Sequence, residues 1–461
     1  MIENQTIDYP HKSIALFITT LASFLTAFMG AAINIALPAI GTELQMTAIG
    51  LSWVATAYIL SAAMFLVPLG KLADISGRKK IYTIGIIGYI LFSFTSAIAT
   101  TSTMLIISRA LQGIGGAMLF GTGVAILISI YPPGDRGRVI GINVAAVYLG
   151  LSLGPFLGGI LTQQFGWRSI FYINVPLGLL VLILILWKLK GEWAEAQHER
   201  FDIIGSIIYG LMLISIMYGL SKLPASVAII LVLVGIMGFI GFIVWEKRMV
   251  HPLLDIQLFI TNRVFAFSNL AALINYSATF AVGFLLSLYL QYIKGLTPQN
   301  AGLVLVSQPI MQAIFSPIAG KMSDKIEPRI VASIGMAFTV IGLMLLILIT
   351  ATTSILYIVF SLIVLGFGFG LFSSPNTNAV MGAVNKSVYS VASATLGTMR
   401  LIGMMLSMGI STLIFSVYIG NVPLSPAAYP MLMISIRIAL IIFALLCFAG
   451  VFASLMRGKL R

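Results

Sequence analysis

Long apolar runs alternate with short polar connections along the whole chain. Runs of about 18 or more apolar residues are long enough to cross a bilayer as α-helices. They predict fourteen spanning helices, at 13–37, 50–70, 80–99, 104–130, 138–162, 170–188, 202–220, 226–245, 264–290, 300–320, 330–350, 355–376, 388–416 and 431–456. The connections are too short to form a separate soluble domain. The pattern therefore predicts an all-α integral membrane protein.

Composition excludes several classes of function. Of the 461 residues, 59% are hydrophobic and only 8% are charged, whereas a soluble domain carries about 25% charged residues. The single cysteine, Cys447, lies in the last apolar run, and only three histidines occur. We therefore expect no disulfide framework, metal site or cofactor, and the chain shows no nucleotide loop or nucleophile–base pair that would indicate an enzyme.

The net charge of +13 is distributed among the connections. With the N-terminus inside, most lysines and arginines fall on the cytoplasmic side, while Arg168, Lys222 and Lys294 fall outside. Such an excess orients membrane proteins. We therefore expect both termini in the cytoplasm and read the charge as a topology signal, with no nucleic-acid partner.

A charged motif occurs twice. Gly70 to Lys80 reads G-K-L-A-D-I-S-G-R-K-K and is predicted to be a loop after the second span, and a partial copy follows the tenth span. An acid paired with a base there would hold one conformation and release in another, so we call the motif the latch. The candidate latch residues are Gly70, Asp74, Gly77, Arg78, Lys79, Asp324 and Arg329. In the alternative interpretation, the bases only enforce topology.

The duplicated latch divides the chain into two repeats of six spans with two extra spans between them. We predict an N-terminal six-helix bundle at 1–190, two inserted helices with their linkers at 191–262, and a C-terminal six-helix bundle at 263–461. The connection at 189–201 carries Glu192, Glu195 and Glu199 among basic residues. It is typical of a solvated linker.

The fourth span contains a charge. Arg109 is followed by Gln112 one turn later, on nearly the same face, and by Gly113. An arginine inside a membrane is costly and usually faces a cavity or a partner, which indicates a coupling role. Alternatively, Arg109 reaches the outer interface by snorkelling.

The fifth span is rich in glycine. Its candidate residues are Gly141, Gly150, Gly154, Pro155, Gly158 and Gly159. Glycines at 150, 154 and 158 share one face and let another helix approach closely, and the proline should bend the helix. The pattern favours a helix that opens and closes a gate, with static tight packing as the alternative.

These three motifs resemble the major facilitator superfamily, and specifically its fourteen-helix drug:proton antiporter branch. The resemblance covers nearly the whole chain, including the two inserted spans. It implies a multidrug efflux transporter of the plasma membrane, a secondary exporter that works by alternating access with its substrate between the two halves. A small amphipathic substrate, protons and membrane lipid are the implied partners, and we expect a monomer.

The chain departs from this family in its first span, where Met29 stands at a position that usually carries aspartate. All acidic residues lie in predicted loops or at helix ends, with Glu43 and Asp74 as candidates for coupling. The candidate cavity residues are Asn34, Tyr58, Asn143, Asn275, Tyr276, Gln308, Asn376 and Arg400. Because no acid is buried in the spans, an exporter of anionic or neutral metabolites or lipids without proton coupling is an alternative. A non-transporting sensor or scaffold is a second alternative.

Overall fold

The computed structural model describes residues 12–132, 135–250, 252–385 and 389–459. Within these residues, 14 helices are long and apolar enough to cross a membrane, which confirms the predicted number. Several of them begin where a side-chain oxygen accepts a bond from a backbone N–H of the first turn. Thr47, Thr101 and Ser354 cap helices in this way, and such caps stabilise a helix start by about 1 kcal/mol.

The first group of helices contains six spans. Its helices are α1 (Lys12–Glu43), α2 (Ala48–Ser76), α3 (Arg78–Ala97), α4 (Ser102–Ile130), α5 (Arg136–Phe165), the short α6 (Ser169–Tyr172) and α7 (Asn174–Lys188). Here α1 packs along α5, and α2 and α3 pack along α4. The next two helices, α8 (Ile203–Lys222) and α9 (Ser226–Glu246), pack on each other as a pair.

The second group repeats this arrangement. Its helices are α10 (Ile256–Thr261), α11 (Arg263–Leu288) continued by a π-helical turn (Tyr289–Ile293), α12 (Pro298–Leu305), α13 (Ser307–Ser323), α14 (Pro328–Ile347), α15 (Ile355–Gly382), α16 (Tyr389–Tyr418) and α17 (Tyr429–Met456). Here α11 packs along α16, and α13 and α14 pack along α15. The two groups thus share one packing scheme, as expected of an internal repeat.

The first latch motif is more helical than predicted. Instead of a loop from Gly70 to Lys80, α2 continues to Ser76 and α3 begins at Arg78. The chain turns at Gly77 alone, whose φ of 116° lies in the region that favours glycine. The loop prediction was wrong because the lysines and the arginine between 71 and 80 are good helix formers.

The two groups pack against each other at the end opposite Gly77. We call the end that contains Gly77 the latch end and the opposite end the far end. At the far end, Ser287 Oγ donates to the Asn34 carbonyl at 2.6 Å, and Gln299 N donates to Gln163 Oε1 at 3.2 Å. An isolated β-bridge also joins Thr47 to Pro423. These contacts close the far end.

Candidate functional site

The latch holds an ion pair within the first group. Arg78 Nε donates to Asp74 Oδ1 at 2.8 Å, one turn earlier in the sequence. Arg78 is only 3% exposed, and its Nη1 also donates to Ser129 Oγ at 2.6 Å. The predicted acid–base pair is therefore present, and it ties α2 and α3 to α4.

The connection after α7 is largely exposed, as predicted of a solvated linker, but it also packs on the latch, which was not predicted. Glu195 Oε1 and Oε2 accept from the guanidinium of Arg78 at 2.7 and 3.0 Å. The Glu192 carboxylate accepts from the backbone N–H groups of Lys79 at 2.8 Å and Lys80 at 3.1 Å. The first N–H groups of a helix lack partners within it and attract anions. The start of α3 therefore binds Glu192 as a cap from a distant segment.

Further contacts fasten the same connection. Arg78 N donates to the Trp193 carbonyl at 2.8 Å, and Ala196 N donates to the Asp74 carbonyl at 2.9 Å. Lys71 forms a salt bridge with Glu199. We call residues 192–199 the strap, because they run across the latch and bind both of its helices.

The second copy of the latch lies where α13 meets α14. Asp324 follows the last residue of α13, with its N–H bonded to the Lys321 carbonyl at 3.3 Å. Arg329 is the second residue of α14. Ser323, next to Asp324, accepts from Asn378 Nδ2 of α15 at 2.7 Å.

Arg109 is buried inside the first group, at 1% exposure. Its Nη1 donates to Gln112 Oε1 at 2.5 Å, and its Nε donates to the Val54 carbonyl at 3.2 Å. The ring of Tyr58 lies 4.4 Å from its guanidinium carbon, a cation–π distance. Arg109 therefore does not snorkel. At Gly113, α2 passes so closely that an added Cβ would overlap the Tyr58 carbonyl oxygen.

The five candidate glycines of α5 divide into those that pack on α1, one that faces the second group, and one with open space around it. A Cβ on Gly154 or Gly158 would come within 2.6 or 2.8 Å of an alanine Cβ on α1, and Gly150 also packs on α1. These three hold the first group together. Gly159 instead faces the second group, where its Cβ would lie 2.6 Å from the Pro298 carbonyl oxygen.

The backbone of Pro155 meets the second group as well. A Cβ on Gly302 of α12 would overlap its carbonyl oxygen. Gly141 of α5 makes no such contact: among the described residues, no neighbouring atom would lie within 4 Å of a Cβ placed there. The motif therefore contains both fixed packing within one group and a separable contact between groups.

Several predicted cavity residues are engaged within their own group. Asn143 Nδ2 donates to Ser23 Oγ at 3.0 Å, and Asn376 Oδ1 accepts from Arg457 at 3.0 Å. The Tyr58 ring lies beside Arg109, and the backbone of Gln308 abuts Gly366. Asn34 differs, because its carbonyl accepts from Ser287 of the other group at the far end. Met29 is fully buried, with its sulfur 3.8 Å from Asn174 Nδ2 of the same group.

Other polar residues meet between the two groups. We call them the interface cluster: Tyr148, Tyr276, Ser316, Ser373, Thr377 and Arg400. Tyr148 Oη on α5 lies 3.1 Å from Ser373 Oγ on α15 and accepts from Ser316 Oγ on α13 at 3.3 Å. The predicted site does not include Tyr148, since a single tyrosine in a glycine-rich helix gives no signal of its position between the groups.

Arg400 supplies the charge of the interface cluster. Its Nη2 donates to Thr377 Oγ1 at 2.7 Å, and its guanidinium carbon lies 5.7 Å from the centre of the Tyr276 ring. Among the described residues, its Nε is buried without a hydrogen-bond partner, and so are both amide atoms of Asn275, next to Tyr276. Buried polar atoms normally have partners, so these atoms have unused hydrogen-bonding capacity.

Comparison with known proteins agrees with this architecture. A family model described as Major Facilitator Superfamily matches residues 19–245 and 269–459. The riboflavin transporter RibZ of Clostridioides difficile is 30% identical over 410 residues, which cover 89% of each chain. The multidrug resistance protein Stp of Mycobacterium tuberculosis is 31% identical over 85% of this chain and 73% of its own length.

Solved structures share the fold. A bacterial homologue of the human lysosomal transporter Spinster, in an inward-facing and occupied conformation, matches with a TM-score of 0.73. The match covers 97% of both chains at 15% sequence identity.

Proposed function

The chain belongs to the Major Facilitator Superfamily and is a multi-pass transporter of the plasma membrane, and we propose that it exports amphipathic small molecules by proton-coupled alternating access. The two six-helix bundles, at 1–190 and 263–461, are the parts that move against each other. Relatives named as multidrug resistance proteins support a drug-like substrate.

The observation that carries this proposal is the placement of contacts between the groups. The far end is closed by bonds such as Ser287 to Asn34, while the latch binds its own strap through Arg78 and Glu195. If the latch end is cytoplasmic, as the distribution of basic residues indicates, the closed far end is the outer one. Outward opening then requires the far-end contacts to separate.

The interface cluster is the proposed substrate site. Tyr148 comes from one bundle and Tyr276 from the other, and the ring of Phe369 lies edge-on to Tyr276 at 5.2 Å. Aromatic faces and unpartnered polar atoms suit an amphipathic molecule with few defined hydrogen bonds. Its place between the bundles lets both of them act on the bound molecule.

A second candidate is the export of anionic or neutral solutes without proton coupling. Arg400 supports it, because this half-buried cation forms no salt bridge among the described residues. A relative that is 30% identical to this chain is named a riboflavin transporter, which also supports a solute other than a drug.

The test uses purified full-length protein in liposomes that contain a pH-sensitive dye. A proton gradient is imposed, and cationic, neutral and anionic amphiphiles of similar size are added in turn. Movement of both substrate and protons is expected under the first proposal. Substrate flux without proton movement contradicts coupling, and flux restricted to anions or neutral compounds favours the second candidate. Absence of flux for the whole panel contradicts both.

A further inference from the structure

Two carboxylates are buried together at the latch end of the α8–α9 pair. Asp202 precedes α8 and is 4% exposed, and Glu246 is the last residue of α9 and is 2% exposed. An isolated charged carboxylate is costly to bury. Their burial therefore requires compensating partners, and the structure shows where these are present and where one is lacking.

Asp202 has a full set of donors. Its Oδ1 accepts from Gly205 N at 2.8 Å and caps α8. Its Oδ2 accepts from the indole Nε1 of Trp245 at 2.9 Å. Both oxygens of the Asp202 carboxylate therefore have a donor.

Glu246 is less fully hydrogen-bonded than Asp202. Its Oε2 accepts from Leu254 N at 3.1 Å, and the adjacent backbone N–H of Leu253 also stabilises the carboxylate. Its Oε1 is buried and has no hydrogen-bond partner among the described residues. This oxygen and Asp202 Oδ2 border the same space beside Gly205. A Cβ on Gly205 would overlap Asp202 Oδ2 and would also lie 2.8 Å from Glu246 Oε1. Gly205 therefore leaves the space in which the two carboxylates approach each other.

Charged side chains on α2 and α16, the helices that pack on α8, bind other groups. On α2, Lys71 pairs with Glu199, and Asp74 pairs with Arg78. On α16, Arg400 binds Thr377. The residues after α9, Lys247 and Arg248, are exposed to solvent. Asp202 is the charged group that acts on Glu246 within the described part of the chain.

From this geometry we infer that Asp202 and Glu246 form a binding site for one proton, held on Glu246 Oε1 beside the carboxylate of Asp202. Two carboxylates in such proximity do not both ionise readily, and their titration belongs to the pair. A proton on Oε1 converts this oxygen into a hydroxyl, which can donate a hydrogen bond. A metal cation fits less well, because it needs several oxygen ligands and the indole N–H points at Asp202.

Proton loss would leave two facing negative charges at the start of α8 and the end of α9. Their repulsion would loosen the α8–α9 pair at the latch end. Because α8 packs on α2 of one bundle and on α16 of the other, loosening reaches both bundles. The use of this site in transport rests on the proposed function, whereas proton binding itself does not.

The test is infrared difference spectroscopy of the purified full chain in lipid nanodiscs during a pH jump. The C=O stretch of a protonated carboxylic acid reports the bound proton directly. We expect this band in the wild type and its loss in Glu246→Gln, which keeps the side-chain volume and can donate to Asp202. Asp202→Asn should also remove it, because the asparagine amide donates to an ionised Glu246. The matched control is Asp255→Asn, a nearby helix cap, which should leave the band unchanged.

Several results would overturn the inference. A band that survives both Glu246→Gln and Asp202→Asn belongs to another carboxyl group. A wild-type band that disappears on addition of sodium at constant pH indicates a cation site. If the band behaves as expected but liposome transport moves no protons, the proton site stands and the coupling part of the proposed function fails.

Discussion

The contact between α5 and α12 gives a prediction about the conformational equilibrium. Substitution of Gly302 by alanine would place a Cβ over the Pro155 carbonyl oxygen and 3.0 Å from the carbonyl carbon. Both atoms belong to the backbone, so no side-chain rotation can relieve the overlap, and the two helices must separate. Gly302→Ala therefore disfavours the conformation in which the far end is closed.

The size of the effect follows from the cost of overpacking. An extra methyl group in a well-packed contact costs about 1–3 kcal/mol. This penalty applies to the closed far end and is relieved when the groups part. It should shift the equilibrium about 5- to 150-fold toward an open far end. Gly159→Ala, whose Cβ would lie 2.6 Å from the Pro298 carbonyl oxygen, should act in the same direction.

The assay is a distance measurement between spin labels at the far end. Cysteines replace Phe165 at the end of α5 and Val422 after α16, which are 71% and 47% exposed. The natural Cys447 is fully buried and should not label. We expect Gly302→Ala to increase the population at long distance.

Two control variants separate this explanation from general damage to α5. Gly141→Ala adds a methyl group where nothing lies within 4 Å, and should leave the distance distribution unchanged. Gly154→Ala crowds α1 within one group, so it should lower the unfolding temperature without favouring either conformation. If Gly302→Ala folds normally and keeps the wild-type distances, the reasoning is refuted.

Three further variants test other parts of the site. Arg400→Gln should weaken the binding of anionic amphiphiles about tenfold or more, since a hydrogen bond to a charged group contributes about 1.5–3 kcal/mol. Equilibrium binding measures this, and an equal loss of affinity for neutral amphiphiles would contradict it. Arg109→Lys should lower the free energy of unfolding by about 2 kcal/mol, because lysine lacks the planar guanidinium that bonds both Gln112 and Val54. Denaturant unfolding in detergent measures this change, and an unchanged midpoint would contradict a stabilising role for Arg109. Glu192→Gln should lower the free energy of unfolding by about 0.5–1 kcal/mol, because it weakens the cap of α3. A lower melting temperature and faster proteolysis of the strap are the expected results, whereas wild-type behaviour would show that the strap needs no carboxylate at this position.

The sequence was sufficient for the features that depend on local pattern. Apolar length predicts the spans, and the acid among several bases at 70–80 predicts an ion pair within the latch, although not that both partners lie on helices. Contacts between distant segments could not be predicted in this way. Glu192 has the composition of a solvated residue, and only the arrival of α3 beside it makes it a cap. Likewise, helix-end acids such as Glu246 are usually exposed, and its burial depends on the fold around Leu254.

The α8–α9 pair also makes the molecule asymmetric toward the surrounding lipid. Tyr209 of α8 bonds the Ala63 carbonyl of α2 at 3.1 Å, and Met217 packs against Gly409 of α16. The pair thus covers the seam between α2 and α16. Along the other seam, α13 presents Ile310, Ile314 and Ile318 outward, each more than 40% exposed. The two seams therefore present unequal surfaces to the bilayer: α8 and α9 lie over the seam between α2 and α16, whereas the seam between α5 and α13 has no additional helix over it within the described part of the chain.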